Sequence, residues 1–296
     1  MPNTLFIMDG ATTINYNTRD ALIKLFNEQI GHIGMNDSER IAALRKEAMA
    51  VFTQQGFPHT KLEKWRNTDL SKMLNHQYNF PLEPSHDHVD FNEVFKCDVP
   101  GFDTFMVALF NGWFIDRGSI LPQSDKGVIV CGLAEAFKKY PELIEKHYGK
   151  YGLVAENSLT ALNTALTMDG VFIYVPDNVV VDKTIQIVDL ISATDGVFVQ
   201  ARNLVVLGRN SSLRLVQCDD SIDNHIGFIN SVTEVLVGCG ASLDHYKLQN
   251  KNDHSAMVNN IYFQLEADAK LSTNAISLNG GLIRNETNVK LNGSGS

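Results

Sequence analysis

His86-Asp87-His88, read as an extended segment, turns both imidazoles to one face and so offers two ligands to a metal ion. The stretch is polar linker, with no third ligand nearby in sequence. His225, His245 and His254 fall in the second half of the chain with Cys218 and Cys239. Thiolate and imidazole suit soft metals and iron–sulfur clusters, so these five would make a ligand set if the fold gathered them. Taken singly, a cysteine among aliphatic strand residues is a small core hydrophobe. Asp219-Asp220 with Asp223 is an acidic cluster after a strand. We read it as a solvated loop; the alternative is a set of carboxylates that a solenoid carbohydrate lyase or esterase would use with calcium. The four cysteines, Cys97, Cys131, Cys218 and Cys239, include no C-x-x-C pair, which excludes a zinc ribbon and a thioredoxin-type site. No GxxxxGK[ST], GxGxxG or GxSxG is present, so nucleotide binding and serine hydrolysis gain no support.

The elements that must position these groups are drawn from 296 residues, of which 44% are hydrophobic and 20% charged. That is enough apolar material for roughly two domains and excludes a mainly disordered chain. The 25 Lys and Arg residues against 34 Asp and Glu residues leave a net charge of −9. Generic binding to nucleic acid or to an anionic membrane needs the opposite sign. The first ten residues lack the basic and apolar regions of an export signal, and no run approaches the length of a membrane span. The expectation is a cytoplasmic protein with free thiols.

The first half reads as α+β. Asn36-Asp37-Ser38-Glu39 caps a helix carrying Ile41, Leu44, Ala48, Val51 and Phe52 on one face, stopped by Gly56 and Pro58. Thr60 and Glu63 have capping-box spacing ahead of Trp65, Leu70, Met73 and Leu74. Both Trp65 and Trp113 are expected as packing residues. Asn111-Gly112 between two apolar runs predicts a hairpin. A strand is expected over Val128–Cys131, and helices over Leu133–Tyr140, Pro141–Tyr148 and Leu159–Leu166.

From Asp169-Gly170 onward, short β-rich runs separated by turn residues replace the helical spacing. They cover Val171–Val175, Val179–Val181, Ile185–Val188, Val197–Val199, Leu204–Leu207, Leu213–Val216, Val235–Val237 and Ile261–Leu265. A weak repeat aligns the segments that start at Val175, Leu207, Val237, Leu265 and Leu291, spaced by 32, 30, 28 and 26 residues. A period near 30 with two or three short strands suits a β-solenoid coil, and the competing reading is an antiparallel sandwich or jelly roll. The expected organisation is an α/β region over 1–156, then an all-β solenoid over 157–296 that is incomplete at its carboxy-terminal end.

Four ordered blocks resemble SufD proteins of the SufB/SufD family. Gly56-Phe57-Pro58 through Glu63, Trp65, Arg66 and Thr68 is similar to a signature of their amino-terminal region. Ala161-Leu162-Asn163-Thr164-Ala165 with Asp169-Gly170 through Pro176 resembles the stretch that opens their solenoid. Glu234 through Leu243, with His245 and Gln249, is similar to the repeat core, and Gly280-Gly281 with Arg284-Asn285 continues the likeness. The resemblance implies a right-handed parallel β-helix, the hand also favoured for parallel crossovers. It implies a non-enzymatic scaffold for iron–sulfur cluster assembly, paired with SufB and the ATPase SufC, with the cluster held transiently by the complex. It places the family's cluster-associated histidine and SufC-docking region beyond Ser296, so it assigns no catalytic, cofactor-binding or metal residue here. A third reading is an oligomerisation module that pairs with itself through solenoid edges.

Overall fold

The computed structural model describes residues 17–84, 103–118, 121, 123–192 and 195–296, with the backbone of two short strands, β1 (Ile7–Met8) and β2 (Ala11–Ile14). Helix α1 (Thr18–Ile33) is not among the elements expected from the sequence. Its buried face is carried mainly by Leu22, Leu25, Phe26 and Ile33, a thin stripe in a polar helix. Helix α2 (Glu39–Gln55) is where its cap predicts: the Ser38 side chain accepts from Ile41 N, and Gly56 leaves the helix at φ 67°. The Thr60–Glu63 box does not form. A 3₁₀ turn (Glu63–Trp65) has no side-chain cap, α3 (Ser71–Leu74) is one turn long, and Glu63 faces solvent beside Arg66 at 3.0 Å. Burial of Trp65 sets this segment's path, overriding the local capping preference.

Strand β3 (Tyr78–Pro81) is followed by the expected hairpin, β4 (Thr104–Phe110) and β5 (Trp113–Ile115), turned by Asn111 and Gly112 at positive φ. Then come β6 (Ile129–Gly132), α4 (Leu133–Lys139), α5 (Pro141–His147) and α6 (Ser158–Leu166), capped by Asn157. Every residue of α6 is buried.

The remainder is a β-solenoid of about four turns. One sheet stacks β7 (Gly170–Val175), β10 (Arg202–Leu207), β12 (Gly227–Val237), β14 (Ala256–Leu265) and β16 (Leu282–Leu291), all parallel. The short β9 (Val197–Val199) runs beside the start of β12. The other sheet stacks β4, β8 (Thr184–Ile191), β11 (Ser212–Ser221), β13 (Ser242–Asn250) and β15 (Lys270–Asn279), again parallel. Strands from the first half thus enter the solenoid sheets, with β4 on β8 and β6 antiparallel to β7. The parallel register excludes the sandwich alternative.

The sequence repeat is the register itself. Val175 pairs with Leu207, Leu207 with Val237, Val237 with Leu265 and Leu265 with Leu291. The first four of these strands each lead into a corner residue in the left-handed region, at Asn178, Asn210, Gly240 and Asp268. The N–H of each corner residue donates to a carbonyl one coil on, at 2.7–3.0 Å. Asn, Asp and Gly tolerate that conformation, which is why the repeat keeps small polar residues there. Inside, Val175, Leu207, Leu213, Val237, Leu243 and Leu265 stack coil on coil. Each fully buried aliphatic side chain contributes about 1.5–3 kcal/mol.

The expected runs were too short at their polar ends. β11 continues through buried residues 217–220 to Ser221, and β12 begins at Gly227, its missed part carrying the buried Asn230, Ser231, Thr233 and Glu234. Val179–Val181 is not a strand; it touches the sheet through a single bridge from Val180 to Ser212.

Candidate functional site

Two buried polar arrangements stand out, one outside and one inside the solenoid. The outer one joins α6 and the α5–α6 segment to the first sheet. Asn163 donates to the carbonyls of Ala201 and Asn230, both at 2.9 Å, and Asn230 returns a bond to Leu159 O at 2.7 Å. Arg202 and Glu234, neighbouring coils on the outer face, form an ion pair at 2.6 Å with no solvent exposure on either side chain. Glu234 also accepts from the N–H groups of Gly149, Tyr151 and Gly152 at 2.8–3.0 Å. Arg202 donates to Asn163 and Thr164, and its guanidinium lies 4.5 Å from the centre of the Tyr148 ring. Asp169 closes the same seam by accepting from Phe114 N and from Ala134 N in the first turn of α4.

The last coil is held in the same manner. Arg284 on β16 stacks on Trp65, 4.1 Å from the ring centre, and donates to Thr68 Oγ1 at 2.9 Å and Lys64 O at 2.7 Å. The residues that carried the family resemblance therefore meet one another in space. We expect Arg284→Ala to lower stability by about 1–2 kcal/mol, from the lost cation–π contact and charge-assisted bonds. Urea unfolding followed by tryptophan emission measures it, and a change under about 0.3 kcal/mol would remove this joint from the account.

The inner arrangement lies in the lumen, where the polar halves of β8, β11 and β13 face inward. Asp189 registers with Asp219, and Asp219 with Gln249; Ile187 registers with Gln217, and Gln217 with Lys247. Lys247 meets Asp219 at 2.8 Å. Gln249 accepts from Ser277 and Asn285, both at 2.8 Å. His245 is buried here, with one ring nitrogen 2.9 Å from Thr273 Oγ1 and the other 3.0 Å from Gln217 Oε1. Burial, with Lys247 adding to it, pushes His245 down to about 3, so the ring is neutral at physiological pH. Outside the lumen, His147 is likewise pushed down to about 4, chiefly by burial.

The candidate ligands do not converge. His245 points into the lumen with both nitrogens engaged, and Cys218 lies on the opposite face of its strand in an apolar cluster with Val188 and Leu190. Cys239 is exposed at a corner, and His225 and His254 are exposed on loops. No group of three or more His, Cys, Asp or Glu side chains among the described residues is placed to hold a metal. Cys131 is buried, and burial raises its thiol to about 12. His86-Asp87-His88 and Cys97 lie outside the described residues.

The acidic cluster corrects the solvated-loop reading. Asp219 and Asp220 sit within β11 and are buried, with Asp219 spent on Lys247. Asp223 is half-buried, accepting from Ser192 and from His225 N. The three do not line one cleft, so the carbohydrate-enzyme alternative loses the feature it rested on. Arg202, Asp189, Lys247 and Lys251 were not singled out by the sequence reading. Extending a 30-residue register along the polar strand ends would have aligned Asp189 with Asp219 and Gln249, and Gln217 with Lys247.

No helix among the described residues is long and apolar enough to cross a membrane. A parallel β-solenoid with helices bolted to one outer face defines a β-helix protein. The chain belongs to the SufBD family: residues 16–187 match the SufBD protein N-terminal region, and residues 190–296 match the SUF system FeS cluster assembly SufBD core domain. It is similar to the iron-sulfur cluster assembly protein SufD of Bacillus subtilis (strain 168), 30% identical over 195 residues, covering 64% of this chain and 43% of that protein. It is also similar to the iron-sulfur cluster assembly SufBD family protein ycf24 of Porphyra purpurea, 33% identical over 162 residues, covering 49% and 32% of the two chains. The SufBD family protein ABCI9 of Arabidopsis thaliana is 41% identical over 71 residues, covering 24% and 15%. The chain spans less than half the length of these curated relatives.

Proposed function

We propose that this chain serves as a non-enzymatic scaffold in iron–sulfur cluster assembly, as a SufD-type subunit acting in the cytoplasm with SufB and the SufC ATPase. The observation that carries the reading is the consecutive match of both SufBD models across residues 16–296, with little sequence left between them. The SufD name borne by the Bacillus relative supports the subunit type. In this reading the chain supplies shape: a stiff stack of coils whose outer face is locked to the helices. ATP hydrolysis belongs to SufC, and the cluster is cargo of the complex.

The test is to mix the complete protein with SufB and SufC under reducing conditions and follow size-exclusion chromatography by light scattering. One stable peak with the mass of a ternary complex is expected. Three separate peaks would overturn the SufD-type assignment.

A further inference from the structure

Inside the solenoid, two carboxylates and two amines lie close together, and they are unevenly matched. All four side chains are withdrawn from solvent, with exposures of 5% for Asp189, 4% for Asp219, 2% for Lys247 and 1% for Lys251. Lys247 is committed to the Asp219 carboxylate. Lys251 is committed to main-chain oxygens, at 2.7 Å from Asp220 O and 3.3 Å from Asp189 O. The Asp189 carboxyl is in no ion pair among the described residues, and its Oδ1 has no hydrogen-bond partner. A buried carboxylate ion with a bare oxygen is far more costly than the neutral acid, so the cheapest partner for that oxygen is a proton.

We propose that Asp189 is a proton-binding site in the lumen of the solenoid, keeping its carboxylic acid form to a higher pH in the folded chain than an exposed aspartate does. Releasing the proton breaks the carboxyl O–H bond and leaves two carboxylates facing two ammonium groups, so the lumen charge becomes balanced. Asp219 acts on Asp189 from β11, Lys247 from β13 and Lys251 from the corner after β13. On its other side β4 presents Leu109 at the same register. Ile191, two positions on, joins an apolar cluster with Val199, Ile229 and Met257 that brings no charge.

The balance of these influences agrees with the geometry. Burial, reinforced by the Asp219 charge, raises Asp189 to about 6 against the opposing pull of Lys251 and Lys247. Burial lowers Lys251 from its usual value, opposed by Asp189, Asp219 and Asp220. The folded chain therefore holds the Asp189 proton to a higher pH than the unfolded chain does. Its contribution to stability is present in acid and is lost as pH rises between about 4 and about 6. Lys251 has the opposite sign: its depressed value makes stability rise with pH on the alkaline side, below its usual 10.5.

Carbon-13 NMR of the full chain, labelled at aspartate carboxyl carbons and titrated from pH 4 to pH 8, tests the site. One carboxyl carbon is expected to titrate with a midpoint near 6 and to vanish from the spectrum of Asp189→Asn. Lys251→Met removes a cation that favours the carboxylate, so it should move that midpoint up by about one pH unit. This second variant keeps the proposal testable if Asp189→Asn fails to fold. Asp169 is also buried and raised, so a second carbon that titrates late is assigned to it if it persists in Asp189→Asn. Complete titration of every aspartate below pH 5 would overturn the proposal, as would an Asp189→Asn spectrum that loses no late-titrating carbon, or a midpoint unmoved by Lys251→Met.

Discussion

Glu234→Ala is expected to lower the free energy of unfolding by about 3–5 kcal/mol, because it strands a buried guanidinium without its counter-charge. Arg202 has no exposed surface, and its two remaining side-chain acceptors, Asn163 and Thr164, are neutral. The same change removes the acceptor of three main-chain N–H groups, at Gly149, Tyr151 and Gly152. Those groups belong to the segment that carries the chain from α5 to α6, so the loss should free the helices from the solenoid. Urea unfolding gives the magnitude, and limited proteolysis between 147 and 158 reports the freed segment. A double-mutant cycle with Arg202→Met separates the pair from its surroundings: removing both charges should cost less than the sum of the single changes. A loss below about 1 kcal/mol would mean that water takes over the bonds and that the seam is not the joint described.

Gly170→Ala is expected to prevent the native solenoid from forming, a loss above about 4 kcal/mol. A Cβ built on Gly170 falls 1.6 Å from the carbonyl oxygen of Arg202, its register partner on the next coil. That atom is main chain inside a parallel sheet, so no side-chain rearrangement relieves the overlap. Gly31 in α1 supplies the control, because a Cβ there meets nothing within 4 Å. Gly31→Ala should raise stability by up to about 1 kcal/mol through helix propensity. Circular dichroism and soluble yield read both variants. A Gly170→Ala chain that folds within 1 kcal/mol of the parent would refute the β7–β10 register.

These two sites also show how far the sequence could be read. The hairpin at Asn111-Gly112, the Ser38 cap and the Asn157 cap rest on residues a few positions apart, so local rules suffice. The spacing of 32, 30, 28 and 26 residues was legible because each coil must return an aliphatic and a small corner residue to the same place in the stack. Those spacings became the register of the first sheet without adjustment. The Thr60–Glu63 box failed because Trp65 had a core to enter and Arg284, more than 200 residues away, to stack on.

Polar strand halves were the main blind spot. Alternation marks a strand only when one face is apolar, and β13 runs Ser242, Leu243, Asp244, His245, Tyr246, Lys247 with polar residues on both faces. Asp219-Asp220 therefore read as a loop, whereas burial and Lys247 place Asp219 within the lumen.

The sequence by itself determined the class of fold, the coil length and the family, since each depends on spacing along the chain. The tertiary structure alone decided which charges are buried and what each one meets. Arg202 meets Glu234, Asp219 meets Lys247, and Asp189 is in no ion pair among the described residues. The physical reason is that a charge's protonation and cost are set by burial and by neighbours from other coils, about 30 residues away in sequence and one strand away in space.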